Sequence, residues 1–100
     1  MKKVFISVGM RGRTDEDVMA DIKRAKLNIS NMFDDVKIID NWDCECPDEA
    51  VRLYCLGEAI KKLGDCDICY FVKGWQKHKG CIVEMEVCKL YGIEIVKEGV

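Results

Sequence analysis

The chain is poor in the features that mark most specialised proteins. Its 100 residues include one proline and one histidine. With 16 Lys and Arg against 18 Asp and Glu, it has no surplus of positive charge. A net charge of −2 argues against a binder of nucleic acid polymers or of membrane surfaces, which work through excess Lys and Arg. No apolar run approaches the ~20 residues of a membrane span. The opening apolar stretch Val4–Val8 is too short for a secretory signal. No internal repeat or Ser/Pro linker divides the sequence, so residues 1–100 are expected to form one domain, placed in the cytoplasm.

What the chain does hold is apolar material, 49% of its residues, enough for one core. Seven cysteines contribute to it: Cys44, Cys46, Cys55, Cys66, Cys69, Cys81 and Cys88. Their odd number and the lack of an export signal favour reduced thiols that serve as small core hydrophobes. Cys44-x-Cys46 and Cys66-x-x-Cys69 have suggestive metal spacing. Cys69, however, falls in a strand three residues from Cys66, which would send the two thiols to opposite faces. No metal site and no cofactor are expected.

Strands and helices alternate. Lys3–Val8 is rich in β-branched and aromatic residues and stops at Gly9, which opens a glycine-bearing loop to Arg13. Thr14 has the character of a helix N-cap, followed by Asp15, Glu16 and Asp17 in the first turn. Val18, Ile22, Ala25 and Ile29 then recur at helical spacing to about Met32. Val36–Ile39 reads as a second strand and Asp40–Asp48 as an irregular loop carrying Trp42. From Glu49, Leu53, Leu56, Ile60 and Leu63 fall on one helical face that ends at Gly64. Asp67–Val72 is a third strand, Lys73–Lys79 a basic loop, Gly80–Tyr91 a third helix and Ile93–Val96 a fourth strand.

This alternation implies an α/β three-layer Rossmann- or flavodoxin-like sandwich: a four-stranded parallel sheet in order 2-1-3-4 with three helices. Ligands in such folds bind outside the carboxyl ends of the strands where the strand order reverses. Here that point lies between strands one and three, flanked by the loops Gly9–Arg13 and Lys73–Gly80. At 100° per residue, Val83, Val87, Leu90 and Tyr91 share one arc of the third helix, expected to face the sheet. Glu84 falls inside that arc and Glu86 outside it. A carboxylate aimed at an apolar surface costs several kcal/mol unless it is paired, hydrogen-bonded or open to a cavity. Glu84 is therefore the residue that asks for an explanation. Lys73, Lys77, His78 and Lys79, with Arg11 and Arg13 opposite, bring local positive charge suited to a phosphate. Trp75 is placed either to stack on a ring or to pack its own loop.

Several segments resemble the nucleoside 2-deoxyribosyltransferase-like family, in particular its small bacterial and phage members. They are Val4–Gly12, Tyr54-Cys55-Leu56-Gly57-Glu58, Asp67–Trp75, Lys79-Gly80-Cys81-Ile82-Val83-Glu84 and Tyr91-Gly92-Ile93. The likeness is weakest over residues 34 to 48. It implies N-glycosidic-bond chemistry on a nucleoside or nucleotide, with Glu84 as nucleophile in the stretch Gly80-x-x-x-Glu84. The implied substrate contacts are Ser7, Gly9, Met10, Arg11, Gly74, Trp75, His78, Lys79 and Gly80. Assembly as a homodimer or higher homo-oligomer is also implied. The alternative is a nucleotide or nucleotide-sugar binding module that keeps the crevice without turnover. Two departures favour that alternative. Phe5 stands where the family's transferases carry a strand-one tyrosine, and Lys77-His78-Lys79 stands where they carry a loop aspartate.

Overall fold

The computed structural model describes residues 1–10, 12–39 and 52–99. Arg11, the loop expected at Asp40–Asp48 and the expected start of the second helix at Glu49 lie outside the described residues. In chain order the elements are β1 (Lys2–Ser7), α1 (Asp15–Met32), β2 (Val36–Ile39), α2 (Arg52–Gly64), β3 (Ile68–Phe71), a 3₁₀ turn (Trp75–Lys77), α3 (Lys79–Tyr91) and β4 (Glu94–Lys97). The strands form one parallel sheet in the order β2-β1-β3-β4, as the alternation implied. Among the described residues no helix is long and apolar enough to cross a membrane.

The period of two along β1 divides the core. Val4 and Ile6 point to one side, where they meet Ile68, Tyr70 and Val72 and the α1 stripe Val18, Ile22, Ala25 and Ile29. Phe5 points to the other, with Cys69 and Phe71, against Ala59 and Leu63 of α2 and Met85 and Cys88 of α3. Helices thus cover both faces. The entry to α1 is fixed locally: Thr14 accepts a hydrogen bond from the Asp17 backbone N–H at 3.1 Å, and Asp15, Glu16 and Asp17 put negative charge at the helix's positive end.

Four expectations need correction. The face of α3 turned to the sheet is Cys81, Glu84, Met85 and Cys88, not Val83, Val87, Leu90 and Tyr91. Val83, Leu90 and Tyr91 are exposed, and Val87 is half-buried. Both arcs are spaced for a helix face, and small thiols fit closer to the sheet than Leu90 or Tyr91 would. In α2 the buried stripe is Cys55, Ala59 and Leu63, while Leu53 is exposed, for the same reason. Cys66 and Cys69 do not point to opposite faces. Cys66 precedes β3, where strand alternation does not apply, and both thiols join one cluster. The expectation of reduced thiols holds for Cys66, Cys69, Cys81 and Cys88, which are free, but not for Cys55, which is disulfide-bonded.

β1 and β3 lie side by side in register, Ser7 beside Phe71. From their carboxyl ends the chain departs in opposite directions, β1 to α1 on one face and β3 to α3 on the other. A crevice is left between the two departing loops.

Candidate functional site

Ser7 is the last residue of β1 and faces the α3 side, where strand and helix are otherwise apolar or thiol-bearing. Its Oγ donates a hydrogen bond to Glu84 Oε1 at 2.6 Å. These are the two buried polar or charged residues among those described, and each explains the other. Glu84 is 6% exposed and makes no salt bridge among the described residues. Burial therefore dominates its titration and pushes its pKa up to about 7, with the Ser7 bond pulling part of the way back. A carboxyl in this position sits near half-ionisation at neutral pH, where both a nucleophile and a proton carrier can work.

Cys81, one turn ahead of Glu84 on α3, is buried near the same pair. Burial raises its pKa to about 12, with the nearby Glu84 carboxyl adding to the rise, so the thiol stays protonated and is not a thiolate nucleophile. Sequence reasoning did not place Cys81 at the site. Its spacing of three from Glu84 on one helix was the available signal.

Above this pair the two loops touch through Gly9 and His78. A β-carbon on Gly9 would lie 2.0 Å from the His78 ring, so a hydrogen is all this position can carry while the imidazole stays where it is. Arg13 secures the same residue from the other side, Nη1 donating to the Gly9 carbonyl at 2.9 Å. Arg13 also forms an ion pair with Asp21 on α1. His78 precedes α3 and caps it with its backbone alone, because its ring is turned onto Gly9. Its pKa is held below the ordinary value by burial first and then by the charges of Arg13 and Lys77. At neutral pH the ring is uncharged.

Beside this contact lies a depression of about 390 Å³ lined by Gly12, Arg13, Asp21, Lys73, Gly74, Lys77 and His78. Its charge is positive on balance, since Arg13 is paired with Asp21 while Lys73 and Lys77 add two cations. Gly74 turns the chain here with φ 90°, a left-handed conformation that glycine adopts without strain. Arg13, Lys73 and Lys77 were legible as basic loop residues. Asp21 was not, because on the helix wheel it is an ordinary surface acid.

The residues named from sequence are thus distributed unevenly. Ser7 and Glu84 meet directly, Gly9 and His78 meet directly, and Gly74 lines the basic depression. Gly80 sits at the start of α3, where a β-carbon would come into ordinary contact with Leu56 of α2 at 3.8 Å, and Lys79 beside it is exposed. Met10 packs against the α1 cluster. Trp75 packs its own loop: its ring lies 5.4 Å from Phe71 at 56°, with the Lys97 ammonium 6.0 Å from its centroid, and it does not line the depression. Phe5 is fully buried below Ser7 on the same side of β1. Arg11 lies outside the described residues. Glu84 does not line the depression either.

No family model matches this chain, and neither does any curated protein or solved structure.

Proposed function

We propose that this chain cleaves or exchanges the N-glycosidic bond of a nucleoside or nucleotide, with Glu84 as the nucleophile. The observation that carries the reading is the Ser7–Glu84 pair: a buried carboxyl held by one hydroxyl at the carboxyl end of β1, with a pKa of about 7. An ionised Glu84 oxygen attacks the anomeric carbon, and a C–O ester bond forms as the C–N bond breaks. The bonding pair leaves with the nucleobase, which takes up a proton. Water, or a second base, then displaces the carboxylate and regenerates it. The Ser7 hydroxyl steadies the carboxylate in both steps. Lys73, Lys77 and the N-terminal amides of α3 suit an anionic end of the substrate, such as a 5′-phosphate. The chemistry needs no metal and no cofactor.

Access sets the condition for this reading. Because His78 rests on Gly9 and Glu84 is enclosed, substrate entry requires the imidazole to leave the Gly9 face. Incubation with a panel of deoxynucleosides and their 5′-phosphates is expected to release free base, and Glu84→Gln is expected to abolish release. No release from any member would remove the enzymatic reading.

Two observations favour a second reading, a nucleotide or nucleotide-sugar binding module. Phe5 is locked in the core with no hydroxyl, and the basic depression is separate from Glu84. Such a module would be stabilised thermally by its ligand without consuming it, and Glu84→Gln would leave that stabilisation intact.

A further inference from the structure

His78 belongs to two places at once. On one side its imidazole rests on Gly9, so closely that a β-carbon there would lie 2.0 Å from the ring. On the other it helps to wall the depression of about 390 Å³, with Arg13, Asp21, Lys73 and Lys77. The ring makes no hydrogen bond among the described residues, so its place on Gly9 depends on contact alone. Arg13 is tied to Asp21, whereas Lys73 and Lys77 form no ion pair among the described residues. The two lysines are the uncompensated charge of the depression. The geometry points to a phosphate-operated latch: a phosphoryl group that enters between Lys73 and Lys77 draws the His78 ring off Gly9.

A phosphate monoester or free phosphate carries a charge of about −1.5 to −2 at neutral pH and three strong acceptor oxygens. That charge answers two lysines and leaves an oxygen for an imidazole N–H. While it lies on Gly9 the ring is neutral, because burial first, and then Arg13 and Lys77, disfavour its charge. A dianion beside Lys77 offsets the second cause and departure from Gly9 removes the first. The displaced ring then takes a proton from water, and its bond to the phosphoryl oxygen becomes charge-assisted. Gly9 lies two residues beyond Ser7, and His78 immediately precedes α3, which carries Glu84. The latch therefore joins the two elements that hold the buried pair. The inference rests on the catalytic reading and adds the regulation of that site: a phosphoryl group remote from the reacting carbon drives the exposure of Glu84.

NMR of the full chain tests it. The contact gives a nuclear Overhauser signal between the His78 ring protons and the Gly9 α-protons, and with one histidine in the chain the ring is unambiguous. Inorganic phosphate, titrated to about 30 mM at constant ionic strength, is expected to bind saturably, erase that signal and raise the His78 pKa. Sodium chloride at the same ionic strength should do none of these. Joint Lys73→Ala and Lys77→Ala substitution should weaken binding about 10-fold or more, with unchanged circular dichroism because both side chains are exposed. Gly9→Ala, which displaces the ring beforehand, should bind phosphate more tightly than the parent, as reciprocal coupling requires.

A deoxynucleoside 5′-monophosphate, added to Glu84→Gln so that it is not consumed, identifies the source of the phosphoryl group. Loss of the signal with inorganic phosphate makes the free ion sufficient, and loss with the nucleotide alone makes the substrate's own phosphate the operator; either supports the latch. No saturable binding of either ligand, or a signal intact at saturation, overturns it. So does a response that survives loss of both lysines, or an affinity unmoved by Gly9→Ala. None of these readouts needs base release. Opening without release from any nucleoside removes the catalytic reading and leaves the latch, whereas release with the signal intact keeps the catalysis and overturns the latch.

Discussion

Ser7 and Glu84 lie 77 positions apart in sequence, and the Ser7 hydroxyl donates to the Glu84 carboxyl over 2.6 Å inside an interface otherwise built from apolar side chains and thiols. The pair closes the end of β1 against the second turn of α3. Its chemistry is set by burial: the carboxyl prefers its proton until the pH nears 7.

A stability signature follows from that preference. The folded-state pKa of Glu84, about 7, lies above the ordinary 4.5, so between those values the folded chain holds a proton that the unfolded chain has released. Stability from this group is therefore full below pH 4.5 and is lost as pH rises through 7. The loss amounts to about 3 kcal/mol once Glu84 is ionised. Glu84→Gln cannot titrate. Urea unfolding of both proteins from pH 5 to pH 8 should show the variant gaining on the parent by about that amount, with little difference at pH 5. A constant difference across the range would mean that Glu84 titrates as an ordinary surface acid.

Ser7→Ala removes the donor that lowers the Glu84 pKa. The carboxyl should then ionise at a pH above 7, and any base-releasing activity that depends on its ionised form should move to higher pH with it. The buried carboxyl also loses its partner, at a cost of about 1–3 kcal/mol. Comparing pH–rate profiles of Ser7→Ala and the parent checks the first effect, and denaturant midpoints check the second. An unmoved profile would separate Ser7 from the reacting group.

The sheet order, α1 and the inward turn of Glu84 were legible in the sequence because each rests on a short-range rule. Thr14 followed by three acids starts a helix, Val18 to Ile29 repeat at one spacing, and alternating elements force parallel crossovers. The misreadings share a different cause. In α3 two apolar arcs compete for the sheet. The sequence does not show that Phe5 and Phe71 leave room for Cys81 and Cys88 and not for Leu90. Glu84 borders both arcs, so its burial followed from either choice. The Gly9–His78 contact joins loops 69 positions apart through a shape match that no local pattern encodes. Trp75 was ambiguous for the same reason, since only its distance to Phe71 decides that it packs its own loop.

Gly9→Ala tests that shape match. The backbone at Gly9 is not left-handed, so alanine is barred by the His78 ring alone. The ring should be displaced toward water, at a cost of about 1 kcal/mol or somewhat more as the contact is lost. Its pKa should rise from its lowered value toward the ordinary 6.5, because burial is the main reason it is low. The protein has one histidine, so a single imidazole resonance followed by NMR titration reports the change directly. In the parent the sign is that of a base held neutral: stability from this contact is present above pH 6.5 and falls as His78 is protonated at lower pH. Under the catalytic reading, Gly9→Ala should also ease substrate entry, lowering KM.

Glu98 anchors the opposite end of the sheet's carboxyl edge, and its behaviour in acid should be the reverse of Glu84's. Its carboxylate accepts from Arg24 Nη2 at 2.6 Å, from the Tyr70 hydroxyl at 2.6 Å and from the Lys73 backbone N–H at 3.3 Å. Burial works against its ionisation, but the bonds from Arg24, Tyr70 and Lys73 together outweigh that and hold the pKa below the usual carboxylate value. The folded chain thus releases this proton more readily than the unfolded one. The associated stability is full above pH 4.5 and is lost as pH falls through the folded-state value. Because Arg24 is half-exposed, the network is worth less than a fully buried one, and Glu98→Gln should cost about 1.5 kcal/mol at pH 7. That cost should shrink below pH 4.5, where the parent's carboxylate is itself being protonated. Through Arg24 and Asp21 the network continues to Arg13, whose guanidinium holds the Gly9 carbonyl. Glu98→Gln should therefore also move the His78 resonance, although Glu98 and His78 share no contact. A loss of stability with no change at His78 would mean that the ion pairs support the edge of the sheet without positioning the crevice.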